Sequence, residues 1–214
     1  MNNGYNFNVK INRPEEQFNA VSDYFKGDVL NKYANSKSVM KIQERITIRA
    51  LEILNLEKKK NNLLILDAGC GPGFTSFYLK EIGYNVVTLD IIYDFLKCYD
   101  IKDLNPITAD MCFSPFKPNM FDAIISISAL QWIFTDINNI SMRNRVINLF
   151  GTFEEILKPN SKMIFQFYPK SDDIMKEIGK IVADNTSLEG NFIIDNPDSP
   201  KKRKIFLFLQ INSN

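Results

Sequence analysis

The stretch Leu63-Leu64-Ile65-Leu66-Asp67-Ala68-Gly69-Cys70-Gly71-Pro72-Gly73 decides the fold. Its apolar run has strand length and ends on a carboxylate. Glycines at alternate positions then let the backbone turn sharply and approach a ligand without a Cβ clash. The segment from Phe74 to Ile82 reads as a helix that stops at Gly83. Strand, glycine turn and helix form the opening unit of a doubly wound sheet, which binds ligands at the carboxyl ends of its strands.

The alternation continues downstream. Val86 to Leu89 is a second strand ending in Asp90, and Ile107 starts a short third strand ending near Asp110. Phe121 to Ile127 is the fourth. Asn144 to Leu157 is an amphipathic helix with Val146, Leu149, Phe150, Phe153 and Leu157 on one side, and Pro159 follows it. Met163 to Phe167 is the fifth strand, and Ser171 caps a helix running to about Ala183. Two strands close the chain, Phe192 to Ile194 and Ile205 to Leu209. Their short connection, with Pro197 and Pro200, predicts an antiparallel pair. The expected fold is α/β: a seven-stranded doubly wound sheet of order 3-2-1-4-5-7-6, last strand antiparallel.

Before the glycine turn, residues 1–60 read as a helical cap on a single domain spanning residues 1–214. Pro14 suits a first helical turn, and Glu15 and Glu16 favour a helix N-terminus. A second helix spans Ser38 to Leu54, with Val39, Ile42, Ile46, Ala50 and Ile53 on one face.

Composition excludes several chemistries. The chain has no histidine, which removes Ser-His-Asp triads, histidine metal centres and histidine general bases. Cys70, Cys98 and Cys112 are too scattered for a disulfide framework or a zinc site, so no metal is expected. The formal net charge of +1 gives no overall basic excess. The clusters Lys58 to Lys60 and Lys201 to Lys204 read as solvated surface. No apolar run approaches the roughly 18 residues of a membrane span, and the polar N-terminus lacks a signal-peptide core. The expected location is intracellular: cytoplasmic, or nuclear in a eukaryote.

The glycine turn alone fits nicotinamide dinucleotides or S-adenosylmethionine (SAM), and Asp90 suits the ribose of either. Three features favour SAM. The spacing is G-x-G-x-G, not G-x-G-x-x-G. Asp67 precedes the glycines, where a carboxylate suits the methionine ammonium and repels pyrophosphate. Asp110-Met111 follows the third strand, where an acid can accept from the adenine amino group while Met111 packs on the ring. The candidate cofactor set is Tyr33, Asp67, Gly69, Gly71, Gly73, Asp90, Ile91, Asp110, Met111 and Ser126. Each acid has a plainer reading: Asp67 as a turn cap, Asp90 and Asp110 as strand-end acids. Trp132 has one too, as core.

Several stretches carry a family resemblance: Arg13-Pro14-Glu15-Glu16, Lys32-Tyr33, Ser36, Ile42-Gln43, Thr47 to Leu54, Ile125-Ser126-Ile127-Ser128-Ala129-Leu130-Gln131-Trp132, Gln166-Phe167-Tyr168-Pro169-Lys170 and Asp195-Asn196-Pro197-Asp198-Ser199. With the glycine turn, they cover nearly the whole chain. The sequence resembles the small-subunit ribosomal RNA guanine-N7 methyltransferases of eukaryotes, with archaeal relatives. Eukaryotic members carry a basic C-terminal extension, whereas this sequence ends soon after its last expected strand. The resemblance implies methyl transfer from SAM to guanine N7 of small-subunit ribosomal RNA. It also implies a heterodimer with a small zinc-binding activator protein. Gln131, Trp132 and Tyr168 are then the candidate substrate-positioning residues: Trp132 or Tyr168 stacking on the base, Gln131 orienting it. The alternatives are a small-molecule or carrier-bound carboxyl methyltransferase and a non-catalytic ribosome-assembly scaffold.

Overall fold

The computed structural model describes residue 7 and residues 13–56, 60–97 and 104–211. Lys58, Lys59 and Cys98 lie outside the described residues. Seven strands form one sheet: β1 (Leu64–Ala68), β2 (Asn85–Asp90), β3 (Pro106–Thr108), β4 (Phe121–Ile127), β5 (Leu157–Phe167), β6 (Glu189–Asp195) and β7 (Lys204–Gln210). Their order is β3-β2-β1-β4-β5-β7-β6, as the alternating pattern predicts. The first five run parallel, and β7 pairs antiparallel with both β5 and β6.

Burial follows from this arrangement. Parallel central strands are covered on both faces and read as continuous apolar runs; all seven residues of β4 are buried. One face packs on α6 (Ile140–Ile156) and α7 (Asp172–Asn185), through Phe150, Phe153 and Phe165 among others. The other packs on α3 (Lys37–Leu54) and α4 (Phe74–Glu81). Helix α6 starts four residues before the expected Asn144, because the Asn139 side chain accepts the Met142 N–H and caps it there. Its buried face is the expected one, except that Ile156 belongs to the helix and Leu157 opens β5.

Two expectations are corrected. In α3 the buried residues are Gln43, Ile46, Thr47, Ala50 and Leu54, while Ile42 is exposed. The polar side chains can be buried because each is bonded: Thr47 Oγ1 to the Gln43 carbonyl at 2.8 Å and Gln43 Nε2 to Ser128 Oγ at 3.3 Å. The N-terminal region also starts differently. Pro14–Glu16 is a 3-10 turn, followed by the short α1 (Val21–Tyr24) and α2 (Gly27–Ala34). The α2 residue Leu30 packs with Ile92 and Phe95 beside the short α5 (Tyr93–Leu96). So Ile92 and Phe95 are buried, while Ile91 and Tyr93 are exposed. No helix among the described residues is long and apolar enough to cross a membrane.

Candidate active site

The glycine turn is tied to the neighbouring strand. The Gly69 and Cys70 N–H groups both donate to the Leu89 carbonyl, at 2.7 and 3.1 Å. The Gly71 N–H donates to Asp90 Oδ2 at 2.7 Å, while Asp90 Oδ1 accepts the Ile92 N–H at 2.8 Å. Gly69 and Gly71 have φ of +75° and +53°, where side chains are strained. A Cβ on Gly69 would lie 2.5 Å from Ala129 Cβ and 2.8 Å from Met111 Cε. A Cβ on Gly71 would meet nothing within 4 Å, so the backbone there borders open space that a bound group can fill.

Beside this turn lies a cavity of about 570 Å³. It brings together Tyr33, Asp67, Gly69, Gly71, Asp90, Ile91, Asp110, Met111 and Trp132 from the expected set. Asp67 is buried and accepts the Ser76 hydroxyl from the first turn of α4. Burial pushes its carboxyl up to about 7, against that hydrogen bond. Burial also raises Asp90, to about 6, against the N–H groups of Ile92, Gly71 and Ile91. Burial lifts the Tyr33 hydroxyl to about 12, keeping it neutral. The Cys70 and Cys112 thiols are likewise raised by burial, Cys112 to about 12, so neither is a thiolate nucleophile. Asp110 is held by the Cys112 N–H at 3.0 Å and by Arg145 at 2.9 Å.

Four expected residues do not line the cavity. Ser126 is fully buried inside β4, where its hydroxyl donates to the Ala68 carbonyl at 2.8 Å. Gly73 precedes α4, and a Cβ there would press on the Phe77 ring at 3.2 Å. Gln131 turns its amide back to the Ser128 carbonyl at 2.8 Å. Tyr168 lies past the end of β5, with Lys204 Nζ 5.2 Å from its ring centroid. Trp132 does reach the cavity, its ring 5.6 Å from both Tyr24 and Phe25.

Ser128, Gln43 and Arg145 also line the cavity, outside the expected set. Ser128 adopts φ +59° just beyond β4, which turns it into the cavity; its hydroxyl donates to Gln166 Oε1 at 3.0 Å. Gln43 reaches Ser128 from α3, and Arg145 reaches Asp110 from α6. Gln43 and Ser128 each had a signal, as polar residues inside family-like stretches, whereas Arg145 had none.

An acid before the glycine turn, another at the end of β2 and a third after β3 surround one cavity at the switch point of this sheet. That arrangement defines a class I SAM-dependent methyltransferase. A model of the methyltransferase domain family matches residues 66–165. The 18S rRNA (guanine(1575)-N(7))-methyltransferase of Saccharomyces cerevisiae is 36% identical, over 88% of this chain and 69% of its own length. A probable 18S rRNA (guanine-N(7))-methyltransferase of Dictyostelium discoideum is 30% identical, over 95% of this chain and 72% of its own. The chain belongs to the 18S rRNA (guanine-N7)-methyltransferase family. Among solved structures, the magnesium protoporphyrin IX methyltransferase of Synechocystis with bound SAM shares the fold, with a TM-score of 0.64 at 16% identity. It covers 95% of this chain and 100% of its own.

Proposed function

We propose that this chain transfers a methyl group from SAM to N7 of a guanosine in small-subunit ribosomal RNA during ribosome biogenesis. The observation that carries the reading is the division of the cavity. Asp67 near the end of β1, Asp90 at the end of β2 and Asp110 just after β3 stand in sheet order, a track suited to an ammonium, a ribose and an adenine amino group. Trp132 and Ser128 stand on the β4 side. The activity for which the relatives are named supports guanine N7 as the acceptor.

SAM supplies a methyl group already activated on a sulfonium. Guanine N7 offers an in-plane lone pair and no proton, so a chain without histidine lacks nothing the reaction needs. Its residues have to orient: Asp90 holds ribose hydroxyls, Asp67 the ammonium, and Met111 packs on the adenine beside Tyr33 and Ile91. Ser126 and Gly73 shape the floor of the turn. Trp132 stacks on an unstacked target base. Holding the acceptor in line contributes on the order of 7–11 kcal/mol. Residues 13–56 act as a cap that brings Tyr24 and Phe25 to Trp132.

The partner proposed is a small zinc-binding activator protein. Strand β3 is at the sheet edge, and Ile91 and Tyr93 nearby are 47% and 60% exposed. An unpaired edge invites a partner strand. The activity is tested by incubating the chain and activator with labelled SAM and small-subunit RNA, then digesting to nucleosides. Label in 7-methylguanosine is expected; label in another nucleoside or in protein carboxyls would refute it.

A further inference from the structure

Apart from the residues already placed stands the segment Arg13-Pro14-Glu15-Glu16. It folds as a 3-10 turn fastened beyond the carboxyl end of β5, where Arg13 Nη1 donates to the Tyr168 carbonyl at 3.0 Å and Nη2 to the Pro169 carbonyl at 3.4 Å. The fastening brings Glu15 to the wall of the same cavity as Asp67 and Asp90. The Glu15 side chain is only 10% exposed, against 33% for Glu16. Arg13 Nη1 stands 3.5 Å from Glu15 Oε1.

We propose that Glu15 determines base specificity, its carboxylate accepting from N1–H and the 2-amino group of the target guanine. This rests on the guanine-N7 reading. The sheet order sets the sides: β2 and β3 lie on one flank of β1, β4 and β5 on the other. The three aspartates follow the first flank, and Arg13 anchors Glu15 on the second, the acceptor side. Of the carboxylates lining the cavity, Asp67, Asp90 and Asp110 are committed to the donor side, and Glu16 is the more exposed of the remaining two.

The chemistry matches. Guanine presents two adjacent donors on that edge, and a carboxylate presents two acceptors. Adenine places a lone pair at N1 there, which a carboxylate repels. Methylation at N7 makes the purine cationic and its N1–H more acidic, so this hydrogen bond strengthens as the transition state is reached. Burial raises the Glu15 carboxyl, while a backbone N–H and Arg13 act to keep it ionised.

The test compares the chain, co-expressed with the activator, with its Glu15→Gln, Glu15→Ala and Glu15→Asp variants on small-subunit RNA carrying guanosine or inosine at the target; inosine lacks only the 2-amino group. The unsubstituted chain should prefer guanosine at least about tenfold in kcat/KM, the value of a hydrogen bond to a charged group. Glu15→Gln and Glu15→Ala should bring the preference within about twofold, and Glu15→Asp should keep part of it. SAM affinity by calorimetry should be unchanged in all three, which separates a lost base contact from a lost fold. Unchanged preference in Glu15→Ala, with guanine N7 still methylated, overturns the Glu15 role alone. Loss of SAM binding in all three variants overturns it too, because Glu15 would then hold the structure. An unsubstituted chain that methylates some other acceptor overturns the guanine reading, and this role with it.

Discussion

The Asp90 carboxylate accepts the Gly71 N–H at 2.7 Å, which makes the acid at the end of β2 a structural member of the glycine turn at the end of β1. Its other oxygen accepts the Ile92 N–H, and the Ile91 N–H also bonds the carboxylate, which leaves acceptor capacity for a ribose hydroxyl. One side chain therefore sets the shape of the turn and faces the ligand.

Asp90→Ala should weaken SAM binding by about ten- to a hundredfold, the equivalent of a hydrogen bond or two to a charged group. Asp90→Asn, which keeps an acceptor oxygen, should fall between. Isothermal calorimetry decides this; unchanged affinity in Asp90→Ala removes the residue from the binding site.

Gly69→Ala should be damaging in two ways. The residue sits at φ +75°, and the added methyl would lie 2.5 Å from Ala129 Cβ and 2.8 Å from Met111 Cε. Overpacking of this kind costs about 1–3 kcal/mol. Urea denaturation should show that loss together with weakened SAM binding, and a variant with native stability and affinity would contradict the geometry.

Asp67 carries a pH prediction. Its carboxyl is raised by burial from an ordinary 3.8 to about 7 in the folded chain. Between those values the native state binds more protons than the unfolded one, so Asp67 favours folding at low pH and that contribution fades as pH rises through about 7. The ligand-free chain should therefore lose more stability than Asp67→Asn between pH 5 and pH 8 (roughly the window set by these values). A methionine ammonium favours the ionised carboxylate, so SAM affinity should rise through the same range. Equal pH slopes for the two proteins, in melting temperature and in affinity, would set this aside.

The third strand carries the partner prediction. Residues 104–109 (Leu104-Asn105-Pro106-Ile107-Thr108-Ala109) contain no Lys or Glu to blunt the edge. Expressed alone, the chain should be poorly soluble; co-expressed with the zinc-binding activator, it should form a soluble heterodimer that binds SAM more tightly. A stable, fully active monomer by light scattering would dispose of the requirement.

The parts of this molecule that are legible in sequence are those set by local pattern. Apolar runs ending in Asp67 and Asp90 mark strands whose last residues face the switch point, and Ser171 announces the cap of α7. What periodicity misses depends on backbone turns and long-range partners. Ser126 and Ser128 read alike, yet Ser126 is inside β4 and bonded to Ala68, while the positive φ of Ser128 turns it into the cavity. Gln43 and Thr47 look like surface positions on α3 until Ser128 and Thr75 supply their partners, and Arg145 finds Asp110 from 35 residues away. Tyr168 is legible as part of a stretch; that its carbonyl anchors Arg13 is not.

Methylation of guanosine N7 in small-subunit ribosomal RNA leaves a chemical mark that can be read directly. Borohydride reduction and aniline cleavage break RNA at 7-methylguanosine, so the most direct measurement compares small-subunit RNA from cells with and without the gene. One cleavage site should disappear on deletion, return in full with the intact chain and return only in part with Asp90→Ala. Survival of every cleavage site in the deletion strain would contradict it.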